Sequence, residues 1–439
     1  MVKLKCMKVN ITTLGCPKNV VDSGHLSNAF ISEGFDVTTD PHDADIILIN
    51  TCGFIKDAKE ESIEEILRLS TIKDGSKRLL VFGCLAKRYK DELSKEIPEI
   101  DGIWGVGEER EIIDYCKQLA GMDGQRVITT KSLTHHPSPL KASYAYLKIA
   151  EGCDKRCAFC VIPSIRGAFR SYPPDEILRE AEGFIRNGIK EIILVAQDIT
   201  RYGKGLDGYN LVSLLNDLAS INGEFYIRLL YLYPSGITDD LIDCIAGNEK
   251  VFKYLDIPLQ HSEDRLLRLM GRRGSRKEYI RLIRRIRRNI PGIALRTTFI
   301  VGFPTETEDE FKALIDFVED IGFDRLGVFK YSKEEGTPAS RLKPQIPEDI
   351  KERRYDELMR IQALVSLTKN KGLIGKRFRA IVDGIDNDVI IARFYSHAPD
   401  IDGVVMIPYK RMSNGIGIGD LIDVEIVDAE EYDLRGVLV

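Results

Sequence analysis

Apolar runs and helix-like segments alternate over the first 120 residues, and this alternation restricts the fold more than any other feature of the chain. The runs VNITTL (9–14), DIILIN (45–50) and LLVFG (79–83) are typical of buried parallel strands. Helical patterns at 20–33 and 58–69 separate them. This order predicts an open parallel α/β sheet.

A cysteine follows each of these three strands, at Cys16, Cys52 and Cys84. Ligands of open α/β sheets bind at the carboxyl ends of the strands, so we expect the three thiols to converge although 36 and 32 positions separate them. The alternative is that each is a small buried side chain at a strand end. The isolated cysteines are interpreted as structural, namely Cys6, Cys116 and Cys244.

A second alternation begins after residues 121–142, which are rich in turn formers and predict a linker. Its six predicted strands are 144–150, 191–198, 225–234, 254–261, 294–304 and 324–332. Six βα units predict a partial (β/α)6 barrel, an open relative of the (β/α)8 barrel, with its chemistry at the strand carboxyl ends.

The segment EGCDKRCAFCVIPSIRG (151–167) follows the first strand of this barrel and carries Cys153, Cys157 and Cys160 in CxxxCxxC spacing. Soft thiolates this close together indicate a metal site. Structural zinc and ordinary iron–sulfur cubes take four protein ligands, whereas three thiolates leave one iron of a 4Fe–4S cube open. S-adenosylmethionine can chelate that iron, and an electron then cleaves it to a 5′-deoxyadenosyl radical. A zinc site with a distant fourth ligand is the alternative.

Other candidate site residues lie near predicted strand ends of the barrel. Phe159 is placed to contact the adenine of S-adenosylmethionine, and Gln197 to orient the cofactor. Polar groups that could equally be satisfied barrel-interior residues are Lys148, Gln197, Asp198, Arg228 and Gln260. His261 receives no ligand role. The arginine-rich segment 281–290 is interpreted as a barrel helix with a solvated basic face, because its apolar residues share the opposite face.

The last 70 residues contain short strands with Gly, Asn and Asp turns, which predict a small antiparallel β-barrel. Residues 368–439 hold nine Lys/Arg against twelve Asp/Glu, a net charge of −3. Phosphate binding needs the opposite sign, so we expect this module to prefer a basic protein partner.

Composition excludes several classes of protein. The chain has 44% apolar and 30% charged residues, a net charge of −5 and no apolar run approaching membrane-spanning length, so we expect a cytoplasmic protein with no membrane partner. In a reducing compartment the nine cysteines are better interpreted as metal ligands and buried thiols than as disulfides.

These motifs resemble a known family. The CxxxCxxC segment is similar to the radical S-adenosylmethionine signature, and LGCPKN, INTCGFI and FGCLAKR resemble the N-terminal domain of methylthiotransferases, whose TRAM domain the tail resembles. GCPKN, VAQDITRYG and DIPLQH look like the RimO branch, which modifies an aspartate of protein twelve of the small ribosomal subunit. The tRNA-modifying MiaB branch usually has a GCQMN-like first motif and a more basic tail.

The resemblance implies three domains, at 7–120, 139–369 and 371–439, and two facing 4Fe–4S clusters, one on each cysteine trio. One S-adenosylmethionine would methylate a sulfur on the second cluster. Another would supply the radical that abstracts hydrogen from the aspartate β-carbon, which then captures the methylthio group. A flavodoxin- or ferredoxin-type electron donor is expected, and stable tRNA binding is not.

Two residues depart from the family pattern, Thr305 in GFPTETE, where Gly is common, and Tyr233 in YLYP, where His is common in this branch. Both are predicted at strand ends facing the site. The alternatives left open are tRNA adenosine methylthiolation and, from a different class, a non-catalytic iron–sulfur redox sensor.

Overall fold

The structure is a computed structural model that describes residues 7–122, 142–409 and 415–439. It contains a five-stranded sheet, a six-stranded sheet and a closed five-stranded barrel, in that order along the chain. The predicted linker at 121–142 lies almost entirely outside the described residues, and the domain limits 7–120, 139–369 and 371–439 stay predictions. Within the described residues, no helix combines the length and apolar character that crossing a membrane requires.

The N-terminal sheet is parallel, with strand order β2-β1-β3-β4-β5. Its elements are β1 (Lys8–Thr13), α1 (Pro17–Ser32), β2 (Asp36–Thr38), β3 (Ile46–Thr51), α2 (Lys56–Ser70), β4 (Arg78–Gly83), α3 (Cys84–Arg88), α4 (Lys90–Glu96), β5 (Gly102–Trp104) and α5 (Glu109–Leu119). All six residues of β3 are buried, as a central parallel strand requires. The predicted open parallel sheet is confirmed, with two short edge strands that the apolar runs had not indicated.

The central sheet is also parallel, in the order β13-β12-β11-β10-β9-β6, and does not close. Its elements are β6 (Tyr144–Lys148), β7 (Ala150–Glu151), α6 (Ile162–Arg166), β8 (Arg170–Ser171), α7 (Pro174–Arg186), β9 (Glu191–Val195), α8 (Leu211–Ser220), β10 (Tyr226–Leu229), α9 (Asp239–Gly247), β11 (Val251–Asp256), α10 (Asp264–Leu269), α11 (Arg276–Asn289), β12 (Ala294–Val301), α12 (Glu308–Ile321), β13 (Arg325–Lys330) and α13 (Glu348–Lys371). The partial (β/α)6 barrel is therefore confirmed.

The arginine-rich segment lies in α11, where Tyr279, Ile283 and Ile286 are buried. Its arginines lie on the remaining faces: Arg287 donates to the carbonyls of Ile321 and Gly322. The segment is thus a barrel helix with a basic outer face, as the spacing of its apolar residues predicts.

The C-terminal barrel closes in the order β14-β15-β16-β18-β17. Its strands are β14 (Arg377–Asp386), β15 (Val389–Arg393), β16 (Val405–Pro408), β17 (Leu421–Ala429) and β18 (Leu434–Leu438). All neighbours are antiparallel except β16 and β18, whose parallel pairing closes the ring. Closure leaves no free sheet edge in this module.

This barrel is attached to the amino end of the central sheet through buried ion pairs. Glu191, at the start of β9, pairs with Arg228 of β10 and, at 2.7 Å, with Arg393 of β15. Arg228 also donates to the carbonyl of Tyr395 at 2.7 Å. All three charged side chains are almost fully buried, so the amino end is covered by the C-terminal barrel.

A loop after β15 extends this contact into the interior of the central barrel. The Asp400 carboxylate accepts from the hydroxyls of Tyr144 and Tyr146, each at 2.9 Å, and the Asp402 carboxylate accepts from Tyr254 at 2.7 Å. Each donor is on a strand of the central sheet. The loop therefore fills the amino end of the central barrel, and the carboxyl end of the barrel is the end available for chemistry.

Candidate active site

Cys16, Cys52 and Cys84 lie at the carboxyl edge of the N-terminal sheet. Cys52 and Cys84 directly follow β3 and β4, while Cys16 is the residue before α1. The loops approach closely: a Cβ on Gly15 would lie 2.7 Å from the Cβ of Cys52 and 3.1 Å from its Sγ. Only glycine allows this approach, and its φ of +93° also favours glycine.

The Cys84 backbone approaches the Cys52 loop in the same way. A Cβ on Gly53 would lie 2.8 Å from the backbone nitrogen of Leu85 and 3.0 Å from the carbonyl carbon of Cys84. The strand ends thus bring the three thiols to one edge of the sheet, where the sequence predicts them.

The CxxxCxxC loop is fixed by backbone hydrogen bonds on both sides of its cysteines. The Cys153 amide donates to the carbonyl of Gly167 at 3.0 Å. Ala158, between Cys157 and Cys160, donates to the carbonyl of Met270 and accepts from the amide of Ala339, both at 2.8 Å. The loop is therefore held against the carboxyl end of the barrel.

Arg166 connects the two cysteine trios. It lies at the end of α6, which follows Cys160, and its side chain is almost completely buried. Its Nη2 donates to Asn19 Oδ1 at 2.7 Å and to Cys84 Sγ at 3.5 Å, and the Cys16 thiol lies 3.9 Å from the same Asn19 oxygen. Val161, next to Cys160, also packs with Cys84. The two trios therefore share one cleft.

A buried network of two cations and two carboxylates surrounds this connection. Arg166 pairs with Asp22 at 3.1 Å and with Glu151 at 3.0 Å, and Lys148 pairs with the same two carboxylates. Gln197 donates to Glu151 at 2.8 Å. Although burial raises the pKa of Glu151, Lys148 and Arg166 lower it to about 2. The network is balanced in charge and joins α1 to the barrel.

Burial keeps Cys84 and Cys160 protonated as thiols in the protein alone. Burial raises the pKa of Cys84 to about 12, against the lowering effect of Arg166, and Cys16 and Cys52 raise it further. Burial likewise raises the pKa of Cys160 to about 12. Because thiolates are the metal ligands, these sites need the positive charge of a metal centre to release their protons.

The thiol donors of the two trios are of the type that iron–sulfur cubes use, in which each thiolate binds its own iron. Gln197 Oε1 is buried and accepts no hydrogen bond from the described residues, so the cleft also offers an acceptor for a bound molecule.

The remaining candidate residues separate into two groups. Phe159 is partly buried against Met270 and Phe303, beside its loop, and Asp198 lies 3.7 Å from Lys155. Arg228, by contrast, belongs to the amino end, because its side chain pairs with Glu191 at the start of β9 and donates to the carbonyl of Tyr395. His261 bonds to Glu306 at 3.0 Å and accepts from the amide of Glu263 at 3.0 Å.

The two departures from the family pattern have different surroundings. The Tyr233 ring is covered by Lys155, 3.9 Å from its centroid, and by Arg272 at 4.3 Å, so it faces the CxxxCxxC loop. Thr305 has φ +72°, a conformation that glycine adopts without strain, and it accepts two hydrogen bonds from Arg265. This conformation explains why glycine suits the position.

Sequence reasoning missed Asp22, Asn19 and Arg166 as site residues. Asn19 and Arg166 stand in GCPKN and PSIRG, three and six positions after Cys16 and Cys160. Proximity to the cysteine motifs was the available signal for both. Asp22, six positions after Cys16, was equally close to a cysteine motif, but its partners Lys148 and Arg166 are distant in the chain.

Three family models match the chain. They are the Uncharacterized protein family UPF0004 at residues 8–105, the Radical SAM superfamily at 147–318 and the TRAM domain at 374–439. The second contains the CxxxCxxC loop, and the first contains Cys16, Cys52 and Cys84.

Curated relatives match over almost the whole length. A ribosomal protein uS12 methylthiotransferase RimO of Thermodesulfovibrio yellowstonii is 57% identical over 98% of this chain and 99% of its own. RimO proteins of Geotalea uraniireducens and Acetivibrio thermocellus are 46% and 44% identical, each over 98% of both chains.

Solved structures share the fold at low identity. The radical S-adenosylmethionine methyltransferase TsrM of Kitasatospora setae matches with a TM-score of 0.53 and 13% identity, over 87% of this chain and 79% of its own. The cobalamin-dependent radical enzyme OxsB matches with a TM-score of 0.52 and 14% identity, over 82% and 56%. At these identities the likeness concerns the fold alone.

Proposed function

The chain belongs to the ribosomal protein uS12 methylthiotransferase (RimO) family of the radical SAM superfamily, and we propose that it adds a methylthio group to the β-carbon of an aspartate in uS12. The observation that carries this proposal is the 57% identity to a RimO protein over 98% of the chain. The protein is accordingly a transferase that uses S-adenosylmethionine and iron–sulfur chemistry.

The proposal includes two 4Fe–4S clusters. Cys153, Cys157 and Cys160 are the proposed ligands of one, and Cys16, Cys52 and Cys84 of the other. Together with S-adenosylmethionine, these groups supply the methyl group, the sulfur and the hydrogen-abstracting radical when bound. The shared cleft at Arg166 supports this arrangement, because both trios must reach the same substrate carbon.

The chain's own residues position and enclose the reactants. Arg166 and Lys148 hold the two cysteine loops in one orientation through Asp22 and Glu151. Gln197 Oε1 offers an acceptor to S-adenosylmethionine, and Phe159 an apolar surface for its adenine. The C-terminal barrel closes the opposite end and keeps bulk water from entering there.

The proposed partners follow from the same assignment. The substrate is uS12, and a flavodoxin- or ferredoxin-type protein supplies electrons. The net charge of −3 of the tail favours a basic protein over tRNA, and we expect no stable tRNA binding.

Mass spectrometry tests the proposal directly. Reconstituted enzyme with S-adenosylmethionine, a reductant and purified uS12 should add one methylthio group to a single aspartate, and uS12 from cells lacking this chain should lack it. Total tRNA serves as the competing substrate. Methylthiolation of tRNA adenosine instead of uS12 would contradict the substrate, and absence of any 5′-deoxyadenosine would favour the non-catalytic sensor.

A further inference from the structure

Among the described residues, three buried cations lie close to the N-terminal cysteines, and one of these three has no acidic partner there. Lys148 and Arg166 each pair with both Asp22 and Glu151. Lys18 is the third. Among the described residues, no carboxylate oxygen lies within 4.0 Å of its ammonium nitrogen.

Lys18 is nevertheless deeply enclosed. Only 8% of its surface is exposed. Its Nζ lies 3.6 Å from the centroid of the Tyr231 ring. A cation over an aromatic face is stabilised only modestly, whereas burying an ammonium without a compensating anion is costly. The surroundings of Lys18 in the described chain therefore leave its charge only partly compensated.

Tyr231 is itself held in an unusual conformation. Its φ is +63°, which is strained for an aromatic residue. Its amide donates to Asp256 Oδ2 at 3.0 Å, and Asp256 pairs with Arg296 at 3.3 Å, so that carboxylate is already engaged. Strained residues of this kind persist where the surrounding structure fixes them, often at ligand sites. The ring is thereby fixed beneath Lys18 at the mouth of the barrel.

The position of Lys18 in the chain indicates which group its charge could bind. It is two residues after Cys16, on the first turn of α1, which begins at the cysteine edge. Under the proposed function, the methylthio group is delivered from this edge to an aspartate β-carbon. The side-chain carboxylate of that aspartate is bonded directly to the same carbon.

We propose that Lys18 binds the side-chain carboxylate of the substrate aspartate and so selects aspartate over uncharged residues. This inference rests on the proposed function. The substrate would supply the carboxylate partner that the described residues do not give Lys18, and the ion pair would hold the β-carbon beside the cysteine edge. Tyr231 is then a positioning residue that orients the ammonium.

A binding cycle tests the inference. The dissociation constants of uS12 and of its Asp→Asn variant at the modified position are measured on reconstituted wild-type and Lys18→Met enzyme. Methionine keeps the length of lysine without the charge. We expect Lys18→Met to weaken binding of uS12 at least tenfold and binding of the Asn variant less than twofold. Lys18→Arg should recover most of the lost affinity.

Two controls separate substrate recognition from other roles. Lys312→Met removes an exposed lysine of α12 and should leave both dissociation constants unchanged. Iron content and the visible absorption of the clusters are measured for every variant. Equal weakening for both forms of uS12, or loss of iron in Lys18→Met, would assign Lys18 to the cysteine site and overturn the inference.

Failure of the proposed function gives a different result. If wild-type enzyme binds uS12 with no preference for the Asp form and adds no methylthio group, the proposal that uS12 is the substrate is wrong. If wild-type enzyme modifies uS12 but Lys18→Met binds and modifies it equally well, only the role of Lys18 is wrong.

Discussion

Both ends of the central barrel hold a compensated network of buried charges, but the carboxyl end also holds one buried cation outside its network. At the amino end, Glu191 pairs with Arg228 and Arg393, and both arginines have an anionic partner. At the carboxyl end, Lys18 lies over Tyr231 with no carboxylate within ion-pair distance among the described residues. Buried charges that are mutually compensated join domains, whereas a buried charge left without an anion indicates a ligand.

The backbone shows the same difference. Three non-glycine residues of the central domain have positive φ, namely Tyr231, Gln260 and Thr305, and each follows the carboxyl end of a strand. Within the described part of that domain, none occurs at the amino end. Strain is therefore concentrated where the cysteines lie, as is typical of functional sites.

The largest expected effect is at the carboxyl end, on iron content and activity. Cys84→Ser should reduce bound iron from about eight to about four atoms per chain and abolish methylthiolation, because a ligand of one of two proposed cubes is lost. The unfolding free energy of the apo-protein should change by about 1 kcal/mol or less. Iron analysis and the activity assay measure these effects.

Cys116 is the matched control, since it is a buried thiol on α5 away from the strand ends. Cys116→Ser should keep the full iron content and activity. Full iron in Cys84→Ser would remove Cys84 from the proposed ligand set.

The next effect is at the amino end, on stability. Glu191→Ala leaves the guanidinium groups of Arg228 and Arg393 buried without their shared anion. Breaking a buried pair in this way costs about 3–5 kcal/mol of unfolding free energy. Denaturant unfolding measures this loss, and the iron content of the folded protein should stay at the wild-type value.

Glu224→Ala removes another ion pair between the central and C-terminal barrels, the one between Glu224 and Arg379. Both of these side chains are exposed. Exposed pairs contribute at most about 1 kcal/mol. If Glu191→Ala and Glu224→Ala lost similar amounts of unfolding free energy, burial would not explain the contribution of the amino-end ion pairs.

The smallest effect concerns the strained backbone. Thr305→Gly should raise the unfolding free energy by about 0.5–1 kcal/mol, because glycine adopts φ +72° without strain. Thr71→Gly, at a helix end with φ −69°, should lower it by a similar amount. A loss of stability in Thr305→Gly would show that the hydrogen bonds from Arg265 outweigh the strain.

Much of the fold could be predicted because strong periodic patterns carry it. The predicted helices 20–33 and 58–69 correspond to α1 and α2, and the six strands of the barrel were all anticipated. The short edge strands were not predicted. β2 and β5 contain three residues each, and they pair with β1 and β4, respectively. A three-residue segment has too little pattern to indicate a strand.

The site could be predicted only where a motif marked it. The six proposed ligand cysteines stand at strand ends or in a recognisable spacing. Arg166 and Asp22 are 144 positions apart, and their contact depends on how α1 packs on the barrel. The amino-end role of Arg228 was equally hidden, since Arg393, which shares its partner Glu191, lies in another domain. Such long-range pairings arise from tertiary packing, which local patterns do not encode.

The network of Asp22 with Lys148 and Arg166 has a consequence for how the protein is made. During translation the N-terminal sheet leaves the ribosome before either basic partner has been synthesised. The side chains of Asp22 and Asn19 therefore stay solvated until the first strand of the barrel and α6 emerge. The pocket around the first three cysteines is completed only after the chain has passed Arg166, so we expect the cluster proposed there to be inserted at a late stage of maturation.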